Sequence, residues 1–207
     1  MAKSLVILVC ASVIAVSSAA LAKGPPKPLN DWPCDTPFFG PLEAGMLWPG
    51  AEGNGEAAWA DDPAARELVD FLTASENSPA MGQRKIEEFV AEHGPVKADT
   101  AARVVSGMVE RGNVLRRVLL AGIKKEIIKS HVLAEAVDDD DVKLASAEKA
   151  QSQDATKLAE LKEARRQNLA MLDDTADTVE HLCHRLVYDE HKLRDLAGAL
   201  KAHTDAR

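Results

Sequence analysis

The sequence predicts an all-α protein: a long antiparallel helical hairpin, coiled-coil-like, preceded by an irregular aromatic strap and two short helices. Three observations lead there. No proline occurs after Pro95, and no glycine occurs between Gly122 and Gly198. Across that region apolar residues recur at steps of three and four, the spacing of one helix face. Proline, glycine and tryptophan instead crowd into residues 23–62, where they exclude a sustained helix or a central strand.

Composition bounds the function classes. The chain has 207 residues, 46% apolar, 28% charged and 4% aromatic, with 25 Lys and Arg against 33 Asp and Glu. That size suits one domain with an extended part, and the apolar share argues against disorder. A formal charge of −8 excludes the usual nucleic-acid binder, whose phosphate contacts need a basic face. It also disfavours an anionic membrane surface. Only 12 Gly and 10 Pro speak against a turn-rich all-β fold.

Residues 1–22 read as a secretory signal peptide. Lys3 precedes an apolar run from Leu5 to Val16, and Ala20-Leu21-Ala22 offers small residues for cleavage. The run is short for a membrane helix, which needs about 20 residues, although an uncleaved anchor is the competing reading. Cleavage leaves 24 basic against 33 acidic residues and no membrane span. A periplasmic or secreted location follows. Two cysteines remain, Cys34 and Cys183. In an oxidising compartment one disulfide is the simplest expectation; free thiols and a metal pair are the alternatives.

The strap of residues 23–62 contains Trp32, Trp48 and Trp59 with Phe38 and Phe39. Such aromatics need apolar cover. They either pack the strap along the protein or form an exposed patch for a partner. Residues 63–95 hold two short helices. Asp62 caps the first, Pro63 opens it, and Leu68, Phe71 and Leu72 point inward. The second runs from about Pro79 to His93, with Ile86, Phe89 and Val90 inward, and Gly94-Pro95 stops it.

Residues 96–207 form the hairpin, with helices over about 97–150 and 155–203. One stripe reads Val105, Met108, Leu115, Leu119, Ile123, Ile127, Ala134 and Val137; the other reads Leu158, Leu161, Leu172, Ala176, Val179, Cys183, Leu186 and Leu193. The polar Gln151-Ser152-Gln153-Asp154 marks the turn. With the turn there, Asp138–Asp141 face Arg165 and Arg166, Arg116 and Arg117 face Tyr188 and Asp189 with Glu190 adjacent, and Lys124 and Lys125 face Glu180 and His181. Opposite charges along the flanks suit an antiparallel register. Gly122 falls opposite Cys183, leaving room for the strap to bring Cys34 close.

Asp31-Trp32-Pro33-Cys34, Leu47-Trp48, Trp59-Ala60-Asp61-Asp62-Pro63 and Leu182-Cys183 resemble the motifs of a family of uncharacterised proteobacterial secreted helical proteins. The resemblance covers most of residues 31–190. Asp35-Thr36-Pro37 departs from the polar and basic residues usual after the first cysteine. What it implies is compartment and fold, not an activity.

Candidate chemistry is sparse. His181 and His184 share a helix face and would suit Zn²⁺ or Cu²⁺, with Asp177 and Glu180 nearby. Cys183 points about 100° from each. The run Asp138–Asp141 lacks the spaced oxygens and glycine of a calcium loop and reads as a solvated face. Adjacent Asp173 and Asp174 diverge on a helix. No nucleophile elbow, phosphate loop or His-Glu-x-x-His occurs. The expectation is a non-enzymatic cell-envelope interaction, adaptor or chaperone-like protein, without cofactor, using Trp32, Trp48 and Trp59 on an envelope partner. Self-association is compatible with it. The alternative is a metal or small-ligand binder using His181 and His184.

Overall fold

The computed structural model describes residues 27–35, 40–49, 59–150 and 154–204. The expected signal peptide, Phe38, Phe39 and the turn residues 151–153 lie outside them. The elements are α1 (Ala44–Leu47), a 3-10 turn (Trp59–Asp61), α2 (Pro63–Thr73), α3 (Pro79–His93), α4 (Ala98–Lys149) and α5 (Ala155–Ala202). The described chain has no strand, only an isolated bridge between Val96 and Thr204. The fold is therefore all-α. The 52 residues of α4 and 48 of α5 pair over most of their length as a hairpin, each about 70–80 Å long.

Local chemistry sets the boundaries. Asp62 Oδ1 accepts from the amides of Ala64 and Ala65 at 3.1 and 3.2 Å, with Pro63 at the first helical position. Ser78 Oγ accepts from Met81 N, and Pro79 opens α3. Gly94 ends α3 at φ 79°, a conformation that side chains resist, and its amide bonds Val90 O at 2.8 Å. Asp154 caps α5 through Lys157 N at 3.0 Å. The strap departs from expectation at α1: Ala44–Leu47 fits one proline-free helical turn between Pro41 and Pro49, and Leu47 enters the core.

The core is concentrated at one end. There α2 and α3 pack on the start of α4 and the end of α5, burying Leu68, Leu72, Ile86, Met108, Leu196 and Leu200 completely. Gly82 permits the approach of α3, since a Cβ there would lie 2.6 Å from Leu196. Toward the hairpin loop the seam thins, and Leu158 and Leu161 are only half buried.

The register agrees with the charge pattern. Arg116 pairs with Glu190, and Arg165 with Asp141. Three local expectations change. Asp140, taken as part of a solvated face, is 7% exposed and accepts from Asn168 Nδ2 at 2.8 Å. A helix run of four residues spans more than one face, so one of the four turns inward. Gly122 makes room for Leu182 rather than for the strap, because a Cβ there would meet Leu182 Cδ1 at 3.3 Å. Lys124 and Lys125 face solvent and make no ion pair across the hairpin among the described residues.

Two cations are buried near the core end. Lys192, 4% exposed, donates to Ala74 O at 2.6 Å, just past the end of α2. A cation suits the carbonyl-rich end of a helix. Burial pushes its pKa down, opposed by the Asp189 carboxylate. Burial likewise lowers the pKa of Arg116, 5% exposed.

Two predictions follow from this packing. Leu119→Ala or Leu172→Ala should cost about 2–5 kcal/mol in denaturant melts. Asp140→Ala should cost about 1–3 kcal/mol through its lost partner, while Asp139→Ser stays within about 0.5 kcal/mol. A large loss for the Asp139 variant would contradict its exposure.

A further prediction concerns pH. Arg165 holds the Asp141 carboxyl below its ordinary 3.8, and Arg166 with Gln167 holds Glu163 at about 2. Folded values lie below unfolded ones. The stabilisation is thus complete above the unfolded values and is lost as pH falls through the folded ones. In Arg165→Gln, NMR titration should show the Asp141 midpoint rising while Glu163 stays in place.

Candidate binding surface

The strap is hung on α4 by short polar side chains. Leu29 N donates to Ser130 Oγ at 2.8 Å. Leu42 N donates to Asn113 Oδ1 at 2.8 Å, and Asn113 Nδ2 donates to Leu42 O at 2.9 Å. One amide side chain thus serves both backbone groups of Leu42. Trp59 Nε1 donates to Glu110 Oε2 at 2.7 Å. These contacts descend along α4 as the strap ascends in sequence, so the strap runs antiparallel to α4.

A disulfide joins Cys34 to Cys183 and ties the strap to α5 as well. Both cysteines are buried, packed with Ile123 and Val179, and flanked by Leu29, Trp32, Ile127 and Leu182. The pairing is the simplest one that the cysteine count allowed.

The three tryptophans have different fates. Trp59 is 8% exposed, with the Arg111 guanidinium 5.5 Å from its ring centroid. Gly107 lets it lie against α4, since a Cβ there would stand 2.8 Å from the ring. Expected among the partner anchors, Trp59 is an internal one, because packing leaves it almost no surface. Trp48 is half buried on the core end, with Lys201 Nζ 5.9 Å from its ring centroid. Trp32 is half buried against the disulfide cluster.

Trp32 also walls the most apolar hollow described. This groove, about 680 Å³, is floored by Leu120, Ala121, Ile123, Ile127 and Ile128 of α4. Asp31, Lys124 and His131 stand around it. A second hollow of about 300 Å³ lies by the disulfide, where Pro33, Asp35, Glu180 and His184 line it. In both hollows titratable groups stand beside apolar residues.

His181 and His184 are both exposed on α5. His181 Nδ1 lies 2.8 Å from Asp177 O of its own helix, and His184 Nε2 is 4.0 Å from Glu180. Cys183 is committed to the disulfide. Among the described residues no group of three or more His, Cys, Asp or Glu is placed to hold a metal ion.

Asn113 and Ser130 escaped the sequence reading. Ser130 carried a signal: it falls three after Ile127 and four before Ala134, within the apolar stripe. A short hydroxyl at a buried stripe position needs a partner, and Leu29 N is that partner. Asn113 carried none, since its partner is backbone 71 residues away.

The disulfide closes a separation of 149 residues. On the chain-entropy account, Cys34→Ser with Cys183→Ser should cost about 5 kcal/mol, less any residual order in the unfolded chain. Limited proteolysis should then cut the strap ahead of α2 while α4 and α5 survive. A double variant that melts like the parent would contradict this anchoring.

Comparison with protein-family models, with characterised proteins and with solved structures returns no match, so function must be argued from this chain's own residues.

Proposed function

We propose that this chain is a non-enzymatic interaction protein of the cell envelope, acting as an adaptor or chaperone-like scaffold on another envelope protein. The observation that carries this reading is the groove beside Trp32. It is apolar, open, and backed by a covalent cross-link, so its wall is held in place before any partner arrives. Preorganisation of that kind reduces the ordering cost of binding. Half-buried aromatics at an open apolar surface are also the side chains that interface hot spots favour. The partner best suited to it is a segment presenting large apolar side chains, with polar groups able to meet Asp31, Lys124 and His131.

Export supports the reading from a second side. A disulfide persists in oxidising compartments, and the apolar N-terminal run has the pattern of a secretion signal. A periplasmic or secreted location is part of the proposal. No helix among the described residues is long and apolar enough to cross a membrane.

The metal reading draws on two exposed imidazoles, His181 and His184, with a Glu180 oxygen 4.0 Å from His184 Nε2. Calorimetry with Zn²⁺ compares the readings: no stoichiometric binding that vanishes in the His181→Ala, His184→Ala double variant is expected. For the groove, affinity capture from an envelope extract should retain a partner on the parent chain. The same protein should be lost with Trp32→Ser or Leu120→Ser variants whose disulfide and helicity are intact. A partner retained equally by both variants would refute the groove as the binding face.

A further inference from the structure

Eight large apolar side chains are well exposed among the described residues, and five of them lie on α4: Val114, Val118, Ile128, Val132 and Val142. They occupy one heptad series. From Val114 the steps run four, three, four and three through Val118, Ala121 and Lys125 to Ile128, then on to Val132. The series continues through Glu135 and Asp139 to Val142. This is the spacing of a coiled-coil seam. It lies on the side of α4 turned away from α5, since the residues facing α5, among them Leu119, Ile123 and Val137, are buried. The helix therefore carries a second seam that nothing in the described chain covers.

Charge divides along this outer face. Arg117, Lys124 and Lys125 stand in its first half; Glu135, Asp138 and Asp139 stand in its second, with Lys143 beyond them; all seven are exposed. Lys124, Lys125, Glu135 and Asp138 have no ion-pair partner among the described residues. A parallel neighbour of the same sequence would set basic against basic. An antiparallel one sets Lys125 against Glu135 and Lys124 beside Asp138 on both sides of the axis.

We propose that a second copy of this chain packs antiparallel on this face, about a two-fold axis level with residue 130. That register places Val118 opposite Val142 and Ile128 opposite Val132 of the second copy. Lys125 then faces Glu135 and Lys124 lies beside Asp138. Two-fold symmetry repeats each contact, as an isologous interface requires. The seam from 118 to 142 is about 36 Å long. The Lys125–Glu135 pairs sit between the Ile128–Val132 layer and a layer of Ala121 against Asp139, and they select register, since a shift of one heptad leaves them facing apolar residues. The patch complements itself, which is why a second copy fits it better than an unrelated helix. Ala121 and Ile128 belong both to this seam and to the floor of the Trp32 groove, but the dimer does not rest on the groove reading, and the variants below avoid both residues.

Sedimentation velocity of the purified full chain should show a dimer by about 100 μM, an affinity modest for a biological interface. Val118→Asp should weaken it about a hundredfold through a charge buried in an apolar layer. Lys125→Glu and Glu135→Lys should each weaken it about tenfold, because every substitution acts twice. The combined Lys125→Glu, Glu135→Lys chain should regain the parent affinity within about threefold. Zero-length carbodiimide cross-linking of mixed isotope-labelled and unlabelled chains should join Lys124 or Lys125 of one copy to Glu135 or Asp138 of the other. A parent chain that stays monomeric, a dimer indifferent to Val118→Asp, or a double reversal no tighter than the single ones would overturn the proposal. If Val118→Asp reduces helicity, the exposed charge-reversal set decides alone. Groove-bound partner capture by chains that remain monomeric would separate failure here from failure of the proposed function.

Discussion

Arg116 of α4 meets Glu190 of α5 inside the seam, at 5% exposure for the arginine. A buried cation of this kind is tolerated only with its counter-charge in place, because removing one partner leaves the other desolvated. Sliding α5 by one turn would separate them. The same slide would pull Lys192 from Ala74 O, the contact that ties α5 to α2. The register of the two long helices is therefore held by specific charges as well as by leucines. Every other element docks on that register: α2 and α3 at the core end, the strap along α4, and the disulfide between strap and α5.

The strap shows how an irregular, proline-rich segment is held without a sheet. Prolines lack an amide donor, and the remaining backbone groups must find partners. Ser130 and Asn113 supply them from α4, Ser130 at a position within the apolar stripe. Trp59 binds Glu110, and Cys34 is covalently fixed. Of the strap's described aromatics, Trp59 is internal packing. Trp32 and Trp48, each half buried, keep surface for other contacts.

The surface left over falls on α4 more than on α5. One flank of α4 floors the apolar groove beside Trp32. Its outer face carries the second heptad series with divided charge. The helix consequently has three distinct sides: one packed on α5, one under the strap and one facing outward. A helix with apolar residues on several sides is normally surrounded. Here α5 and the strap account for two sides, which is why self-association through the third is physically reasonable.

Much of this molecule was readable from residue order. Missing prolines and glycines located α4 and α5, Asp62-Pro63 and Pro79 marked two helix starts, and Gly94 marked a stop, because these depend on interactions within a few residues. The hairpin register was readable from the placement of opposite charges. Other features needed the tertiary structure. Asp140 and Lys192 look like surface charges until Asn168 and Ala74 are brought to them across the fold. Trp59 resembles a partner anchor until α4, stripped of a side chain at Gly107, comes against it. Local sequence determines which helices form and where they stop, since capping and periodicity are short-range. Which polar groups are buried, which aromatics stay exposed and which helix face remains uncovered were decided only by packing between distant segments.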